Sequence, residues 1–272
     1  MAAWAARQSS VKALVLFGSR AREKSDPIWS PDAQSDWDFQ IITSQPCKYL
    51  DALWLREVTE MKVRAYAVRT PRVGAMPKIN TVLEGAEADF VILPSRVLSL
   101  AKFAANLGLH RRAGRVRRGL QDLSIVIRPG YRFLKGGETW EPFYRKVINE
   151  VPDPRLEDAE IRNLAEAFVC DYLWAIQKLE RGELLAVQRV LHRELAETNF
   201  RLLHEIRLRR GQLSFPEARR IERVTVDEEL SCVSVSAELK FNTLRAALES
   251  SAETLVTLVK SLLDDAWNWP HI

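Results

Sequence analysis

The apolar pattern of this chain changes its period once, and that change constrains the fold more than any other feature. Between residues 11 and 135, apolar side chains come in short runs typical of β-strands, beginning with the nearly continuous run Val11–Phe17. Beyond residues 140–155 they recur with the helical period. We therefore expect an α+β chain, with a mixed β-sheet domain and flanking helices over residues 1–145 and a helical bundle over residues 146–272.

The sheet domain is expected to contain several strands after the first. They are Trp37–Thr43, Lys62–Val68, Ile79–Glu84 and Ala88–Leu93. Two more, Ser124–Arg128 and Tyr131–Leu134, flank Pro129-Gly130, a pair that favours a hairpin turn. Helices are expected near residues 48–60 and 95–107.

A loop is expected between the two parts of the chain. It follows Gly136-Gly137 and contains Pro142, Pro152 and Pro154. The apolar positions beyond it predict helices around residues 164–179, 184–206 and 244–262.

Composition and charge exclude several classes of protein. The net charge is only +4 and the basic stretch 102–118 is typical of an exposed surface, so nucleic acid is not an expected partner. No apolar run approaches the ~20 residues that span a bilayer, so no membrane association is expected. The three cysteines, Cys47, Cys170 and Cys232, are far apart and odd in number, which favours a reducing compartment, the cytoplasm, over a disulfide framework.

A Gly-Ser pair follows the first strand. Gly18 allows the backbone to approach a ligand closely, and Ser19 is expected to cap a helix whose free N–H groups suit a phosphate. Arg20 and Arg22 add positive charge beside them. This corner of the sheet is therefore a candidate site for a nucleotide.

Acidic residues at alternate positions mark two of the strands. Asp36 and Asp38 share one face of their strand, and Glu87 and Asp89 share one face of another. Carboxylates this close repel each other, and Mg²⁺ with oxygen ligands is a natural counter-charge. A lone Asp-x-Asp is more often a pair of solvated residues. The order of the parts, from buried strand through Gly-Ser to two acidic strands, favours a metal site with one group left to act as base.

The residues Gly18, Ser19, Asp36, Asp38 and Asp89 resemble the pattern of the DNA polymerase β-like nucleotidyltransferase superfamily. Within it the sequence is similar to the streptomycin (aminoglycoside 6-) adenylyltransferases, in the opening Gly18–Ala21 and in the acidic strand Asp89–Pro94. No Gly-rich Lys loop and no G-x-G-x-x-G motif supports another nucleotide-binding class.

The resemblance implies roles for these residues. Gly18 and Ser19 would contact the triphosphate, Asp36 and Asp38 would bind two Mg²⁺ ions, and Asp89 would complete the site. ATP would be the co-substrate, and AMP would pass to a hydroxyl of a small cationic acceptor such as an aminoglycoside, releasing pyrophosphate. Asp89 is either a third metal ligand or the general base, with Glu87 as the rival base.

A cationic acceptor requires carboxylates, and the segment 150–183 is rich in them. Asp171 is the candidate on this segment. Trp140 and Tyr172 are candidates to stack on a sugar ring, with core packing as the alternative for both.

Two other functions stay open at this point. The chain could adenylylate a protein, as toxin-type members of the superfamily do, although such members lack a large helical part. It could also be a catalytically inactive nucleotide-binding regulatory module, which the intact Asp36, Asp38 and Asp89 argue against.

Overall fold

The short apolar runs of the first half form a six-stranded mixed sheet. Its strands are β1 (Val11–Phe17), β2 (Trp37–Thr43), β3 (Val63–Arg69), β4 (Lys78–Leu83), β5 (Ala86–Pro94) and β6 (Tyr131–Lys135). Their order across the sheet is β3-β4-β5-β2-β1-β6. The central pair β2 and β5 runs parallel and the other neighbouring strands run antiparallel. With the helices described below, this confirms the expected α+β fold.

The computed structural model describes residues 1–22, 32, 35–69, 76–215, 218 and 220–270. These divide into two compact units, Met1–Pro154 and Arg155–Ile272. The first unit contains the sheet and four helices, which are α1 (Ala2–Arg7), α2 (Ser95–Asn106), α3 (Gly114–Ile127) and α4 (Gly137–Glu150). The boundary expected from the sequence, between residues 145 and 146, lies inside α4. A division of function between the two parts of the chain stays a prediction.

Each face of the sheet has its own apolar core, because successive side chains of a strand point to opposite faces. On one face, side chains such as Leu14 and Ile41 pack against α1 and against two 3₁₀ turns, Pro46–Tyr49 and Ala52–Glu57, which form where a helix near 48–60 was expected. On the other face, the strand residues pack beneath α2, α3 and α4; they are Ala13, Val15 and Ile42.

The predicted strand Ser124–Arg128 is wrong, because this segment is the end of α3 and its cap. Its β-branched residues favour a strand locally. Leu120, Ser124 and Ile127 are nevertheless spaced by four and three positions and are buried together on one side of the helix. Burial of this stripe outweighs the local preference. The strand β6 consequently pairs with β1 and not with a hairpin partner.

The predicted loop at Pro142 is also wrong, because Gly137–Glu150 forms α4. Trp140, Phe143, Tyr144 and Val147 have helical spacing and are buried. Pro142 lies on the exposed side of this helix. The hydrogen bond that proline cannot donate is therefore lost where water can solvate the unpaired carbonyl.

The second unit is helical, as expected. Its helices are α5 (Asp158–Glu180), α6 (Leu184–Val190), α7 (Ala196–Arg209), α8 (Asp227–Val233) and α9 (Phe241–Leu263), with one π-helical turn, Leu191–Leu195, between α6 and α7. A capping box of Glu157 and Glu160 starts α5. Apolar faces of α5, α7 and α9 form most of its core. Among the residues that the structure describes, no helix combines the length and the apolar character needed to cross a membrane.

Candidate functional site

Three carboxylates meet on one face of the sheet. Asp38 of β2 and Asp89 of β5 are direct partners in the parallel pairing, so their side chains point the same way, and Asp36 stands two residues before Asp38. One oxygen from each of the three lies within 4.8 Å of the other two. The structure thus brings together the three acids that the sequence pattern selected.

This donor set fits a hard divalent cation. Carboxylate oxygens are the ligands that Mg²⁺ prefers. Three of them within 4.8 Å of one another would bind one ion, or a pair of ions, after a small movement of the side chains.

The turn at Gly18 forms the wall next to Asp38. Phe17, the last residue of β1, pairs with Asp38, so Gly18 is beside this carboxylate. Gly18 has φ 73° and ψ −157°, a backbone region essentially restricted to glycine. A Cβ at this position would lie 2.2 Å from Oδ2 of Asp38. Backbone conformation and lack of space both require glycine here.

A helix is expected after Gly18; of this segment the structure describes residues 19–22, and they form a single 3₁₀ turn, Ser19–Ala21. Gly18 takes the cap position, and Ser19 is the first residue of the turn without a side-chain capping bond. Arg22, the residue after this turn, has an extended backbone. The proposed contact of Gly18 and Ser19 with a phosphate therefore rests on this turn and not on a helix terminus.

Arg20 fastens the segment that leads into β2. Its Nε and Nη2 donate to the carbonyl oxygen of Ser35, at 2.9 and 2.5 Å, and Nε also donates to the carbonyl oxygen of Asp36 at 3.2 Å. Its guanidinium lies 4.5 Å from the ring centre of Trp37. These contacts fix the backbone that carries Asp36. The side chain of Arg22 instead passes beside Gly130, where a Cβ would lie 3.0 Å from Cγ of Arg22.

Two residues of β4, which sequence reasoning missed, hold Asp89. Nζ of Lys78 lies 2.7 Å from Oδ2 of Asp89, and Nδ2 of Asn80 donates to Oδ1 at 2.6 Å. Asn80 is the direct antiparallel partner of Asp89. The alternate spacing of Lys78 and Asn80 was the available signal, but their position opposite Asp89 depends on the register between β4 and β5.

Glu87 lies apart from this group. It precedes Asp89 by two residues on β5, is exposed, and pairs with Val82. Within the described residues, the group of mutually close ligand atoms consists of Asp36, Asp38 and Asp89. The choice between Asp89 and Glu87 as general base stays open.

A buried hydrogen bond lies beneath the acids. Gln40 follows Asp38 on the same face of β2 and is 2% exposed. The hydroxyl of Tyr144, from α4, donates to Oε1 of Gln40 at 2.7 Å. Burial raises the pKa of the Tyr144 hydroxyl far above its ordinary value, so it remains a donor at any working pH. The floor of the site is therefore a buried hydrogen bond between the sheet and α4.

The three predicted acceptor-binding residues have different surroundings. Trp140 is 5% exposed and packs in the core of the first unit. In the second unit, the ring of Tyr172 meets Trp269 edge-on at 5.3 Å. Asp171, on α5, has its pKa raised by burial and, to a lesser degree, by the negative charge of Glu194. Of the three, Asp171 is the one whose charged form is disfavoured by its surroundings.

No protein-family model and no curated protein matches the sequence. Solved structures do show similarity. An aminoglycoside 6-adenyltransferase from Bacillus subtilis is 13% identical, with a TM-score of 0.42, over 98% of this chain and 89% of the other. A nucleotidyltransferase-like protein from Exiguobacterium sibiricum is also 13% identical, with a TM-score of 0.35, over 95% of this chain and 73% of the other. At such low similarity, function has to be argued from the site itself.

Proposed function

We propose that this chain is a Mg²⁺-dependent nucleotidyltransferase that transfers a nucleoside monophosphate, AMP from ATP, to a hydroxyl of a small cationic acceptor. The observation that carries the proposal is the meeting of Asp36, Asp38 and Asp89 within 4.8 Å, beside a turn at Gly18 that has no room for a side chain. A site of this kind offers carboxylates to a metal ion and bare backbone to a phosphate.

Asp36 and Asp38 would hold the metal, and Asp89 would complete its ligand set. Mg²⁺, as a pair of ions, would neutralise charge on the phosphates and orient the attacking and leaving oxygens. The parallel register of Asp38 and Asp89 and the clamp of Arg20 on the Asp36 backbone support this assignment. Both arrangements hold the carboxylates in place before a ligand arrives, which favours catalysis by positioning.

Gly18 and Ser19 would contact the triphosphate. The positive φ of Gly18 turns the backbone sharply at the end of β1, next to the carboxylates. Arg22 stays a candidate for a phosphate contact. Arg20 would act on the nucleotide mainly through its charge, because Nε and Nη2 of its guanidinium donate to carbonyls of the segment before β2.

In the proposed reaction, the acceptor oxygen attacks the α-phosphorus and forms a P–O bond. The bond between the α-phosphorus and the bridging oxygen breaks, and pyrophosphate leaves with the electron pair. The acceptor proton passes to Asp89 or to Glu87. Lys78 and Asn80 engage both oxygens of Asp89, which disfavours Asp89 as the base, and the exposure of Glu87 leaves it accessible in that role.

A cationic acceptor, such as an aminoglycoside, would bind carboxylates of the second unit. Asp171 with Glu194 is the candidate pair, because an ammonium group would offset the burial and the smaller repulsion from Glu194 that together raise the pKa of Asp171. Tyr172 remains a candidate for stacking, whereas the burial of Trp140 favours a core role. The three exposed, unpaired cysteines suit the reducing cytoplasm as the compartment.

The test is release of pyrophosphate by the full chain with Mg²⁺ and each nucleoside triphosphate in turn. Aminoglycosides are added in one arm and protein fractions in the other. Release that depends on an aminoglycoside and is lost in Asp38→Asn supports the proposal. Labelling of a protein by AMP would favour the toxin-type function. Nucleotide binding with no transfer in either arm would favour a regulatory module.

A further inference from the structure

An ammonium group already occupies part of the acidic site. Lys78 begins β4, and its Nζ lies 2.7 Å from Oδ2 of Asp89. The Asp89 side chain is 13% exposed and that of Lys78 is 37% exposed, so the pair is partly shielded from water while the lysine keeps access to it. The carboxylate on β5 therefore has an internal cation.

This cation and a metal ion would compete for the same atoms. Oδ1 of Asp89 accepts from Asn80 and Oδ2 pairs with Lys78. A divalent ion that binds Asp89 through Oδ2 would compete with the ammonium group of Lys78 for this oxygen. An ammonium held at that oxygen also repels a cation bound between the three carboxylates, and this repulsion decays only slowly with distance.

We propose that Lys78 is an internal counter-ion in the acidic site: it neutralises Asp89 when no metal is bound, and it yields that carboxylate to the incoming metal ion. The inference rests on the proposed function, because it concerns the same metal site. On this inference, Lys78 is a positioning residue. It opposes metal binding until another anion is available to pair with its ammonium group.

Asn80 provides a contrast within the same strand. It contacts the other oxygen of Asp89 and carries no charge. Its hydrogen bond orients the carboxylate without competing for Oδ2. Loss of such an orienting partner weakens metal binding at many sites about 10–100-fold. Substitution of Lys78 and substitution of Asn80 are thus expected to change metal affinity in opposite directions, although both residues contact Asp89.

The released ammonium needs a new partner, and the phosphates of a nucleotide provide it. A lysine side chain has a flexible stem and three rotatable donors, so Lys78 has the reach to exchange a carboxylate for a neighbouring phosphate. Metal binding and triphosphate binding would then favour each other, because each removes the obstacle to the other. Such coupling is reciprocal and measurable as a change in metal affinity.

The experiment measures Mn²⁺ affinity by the EPR signal of the free ion, with the full chain and no nucleotide, and repeats it with α,β-methylene-ATP. The variants are Lys78→Met, Lys78→Gln, Lys78→Arg and Asn80→Ala. Lys62→Met is the matched control, since Lys62 is an exposed lysine just before β3 of the same sheet. Thermal unfolding checks that each variant is folded.

Without nucleotide, Lys78→Met and Lys78→Gln are expected to bind Mn²⁺ about tenfold more tightly, equivalent to about 1.4 kcal/mol. Asn80→Ala should bind about tenfold more weakly. Lys78→Arg and Lys62→Met should behave like the unaltered chain. The nucleotide analogue should strengthen Mn²⁺ binding less in Lys78→Met than in the unaltered chain.

Unchanged or weaker Mn²⁺ binding in both charge-removing variants would overturn the inference while leaving the proposed function intact. Failure of both variants to fold would also overturn it, since Lys78 would then be a structural residue. Absence of Mn²⁺ binding by the unaltered chain would overturn the proposed function and the inference together.

Discussion

Gly18 and Asp38 are in contact through the backbone of one and the side chain of the other. A Cβ on Gly18 would lie 2.2 Å from Oδ2 and 3.0 Å from Cγ of Asp38. The turn after β1 and the start of β2 thus fit together only if residue 18 has no side chain. This fit ties the conformation of the turn to the position of a proposed metal ligand.

Gly18→Ala is expected to move Asp38 and to destabilise the chain. The new methyl group would clash with the carboxylate, and φ 73° would add strain of about 1–3 kcal/mol. Mn²⁺ affinity should fall more than tenfold, as measured by EPR. Gly85→Ala is the matched control, since Gly85 has φ 88° but no atom within 4 Å of its Cβ position. Equal loss of metal affinity in both variants would show that the contact with Asp38 is irrelevant.

Arg20→Met should weaken metal binding in the absence of nucleotide. The substitution removes the hydrogen bonds that hold the backbone of Ser35 and Asp36, and so loosens a ligand. We expect about a tenfold loss of Mn²⁺ affinity and a lower melting temperature. Arg96→Met, at an exposed position of α2, is the control. If Mn²⁺ affinity is retained and only nucleotide affinity falls, Arg20 is a phosphate contact, as the superfamily resemblance implies.

The Tyr144–Gln40 hydrogen bond should show strong coupling. Tyr144→Phe leaves a buried amide oxygen without its donor, which costs about 1–3 kcal/mol of unfolding free energy. Gln40→Met leaves the buried hydroxyl of Tyr144 without its acceptor, at a comparable cost in unfolding free energy. The double variant should lose less than the sum of the two in urea unfolding, because no polar atom of the pair is then left unpaired. Additive losses would mean that the bond contributes nothing of its own.

Asp171→Asn should stabilise the second unit at neutral pH. Burial, and then the charge of Glu194, raise the pKa of Asp171 in the folded state, so the folded chain binds this proton more tightly than the unfolded chain does. The resulting stability is present below the ordinary aspartate pKa and is lost as pH rises through the raised value. In urea unfolding, Asp171→Asn should therefore increase the free energy of unfolding at pH 7 and leave it unchanged at pH 4. An equal gain at both pH values would contradict this explanation.

The same variant tests the acceptor proposal. If Asp171 binds a cationic acceptor, Asp171→Asn should raise the KM for that acceptor while the KM for the nucleotide stays unchanged. Glu166→Gln is a less suitable control, because Glu166 accepts a hydrogen bond from Trp267. Glu197→Gln, an exposed acid of α7, is better matched. A similar rise in both variants would point to a general effect of charge.

The sequence was sufficient to predict the convergence of the acids. Alternate spacing places Asp36, just before β2, on the same side as Asp38 of β2, and the neighbouring acidic strand lies beside it. The partners of Asp89 could not be predicted in the same way. Lys78 and Asn80 reach it only through the register of β4 on β5, which is set by long-range pairing and by the turn between the strands.

The errors in secondary structure have a common physical origin. Ser124–Ile127 is rich in β-branched residues, and Pro142 follows two glycines, so local preferences pointed away from helix in both segments. In both, apolar residues with helical spacing bury against the same face of the sheet, and that burial prevails. The single 3₁₀ turn at Ser19 is the opposite case, in which a good capping residue does not start an α-helix.

Asp38→Asn is the most direct test of the metal site on which the proposed function depends. It removes one negative charge with little change of shape, and Mn²⁺ titration by EPR reports the result without knowledge of the acceptor. We predict one or two Mn²⁺ ions bound by the unaltered chain in the presence of α,β-methylene-ATP, and at least a tenfold loss of affinity in Asp38→Asn with the fold retained. Equal Mn²⁺ binding by the two proteins would contradict the assignment of this site.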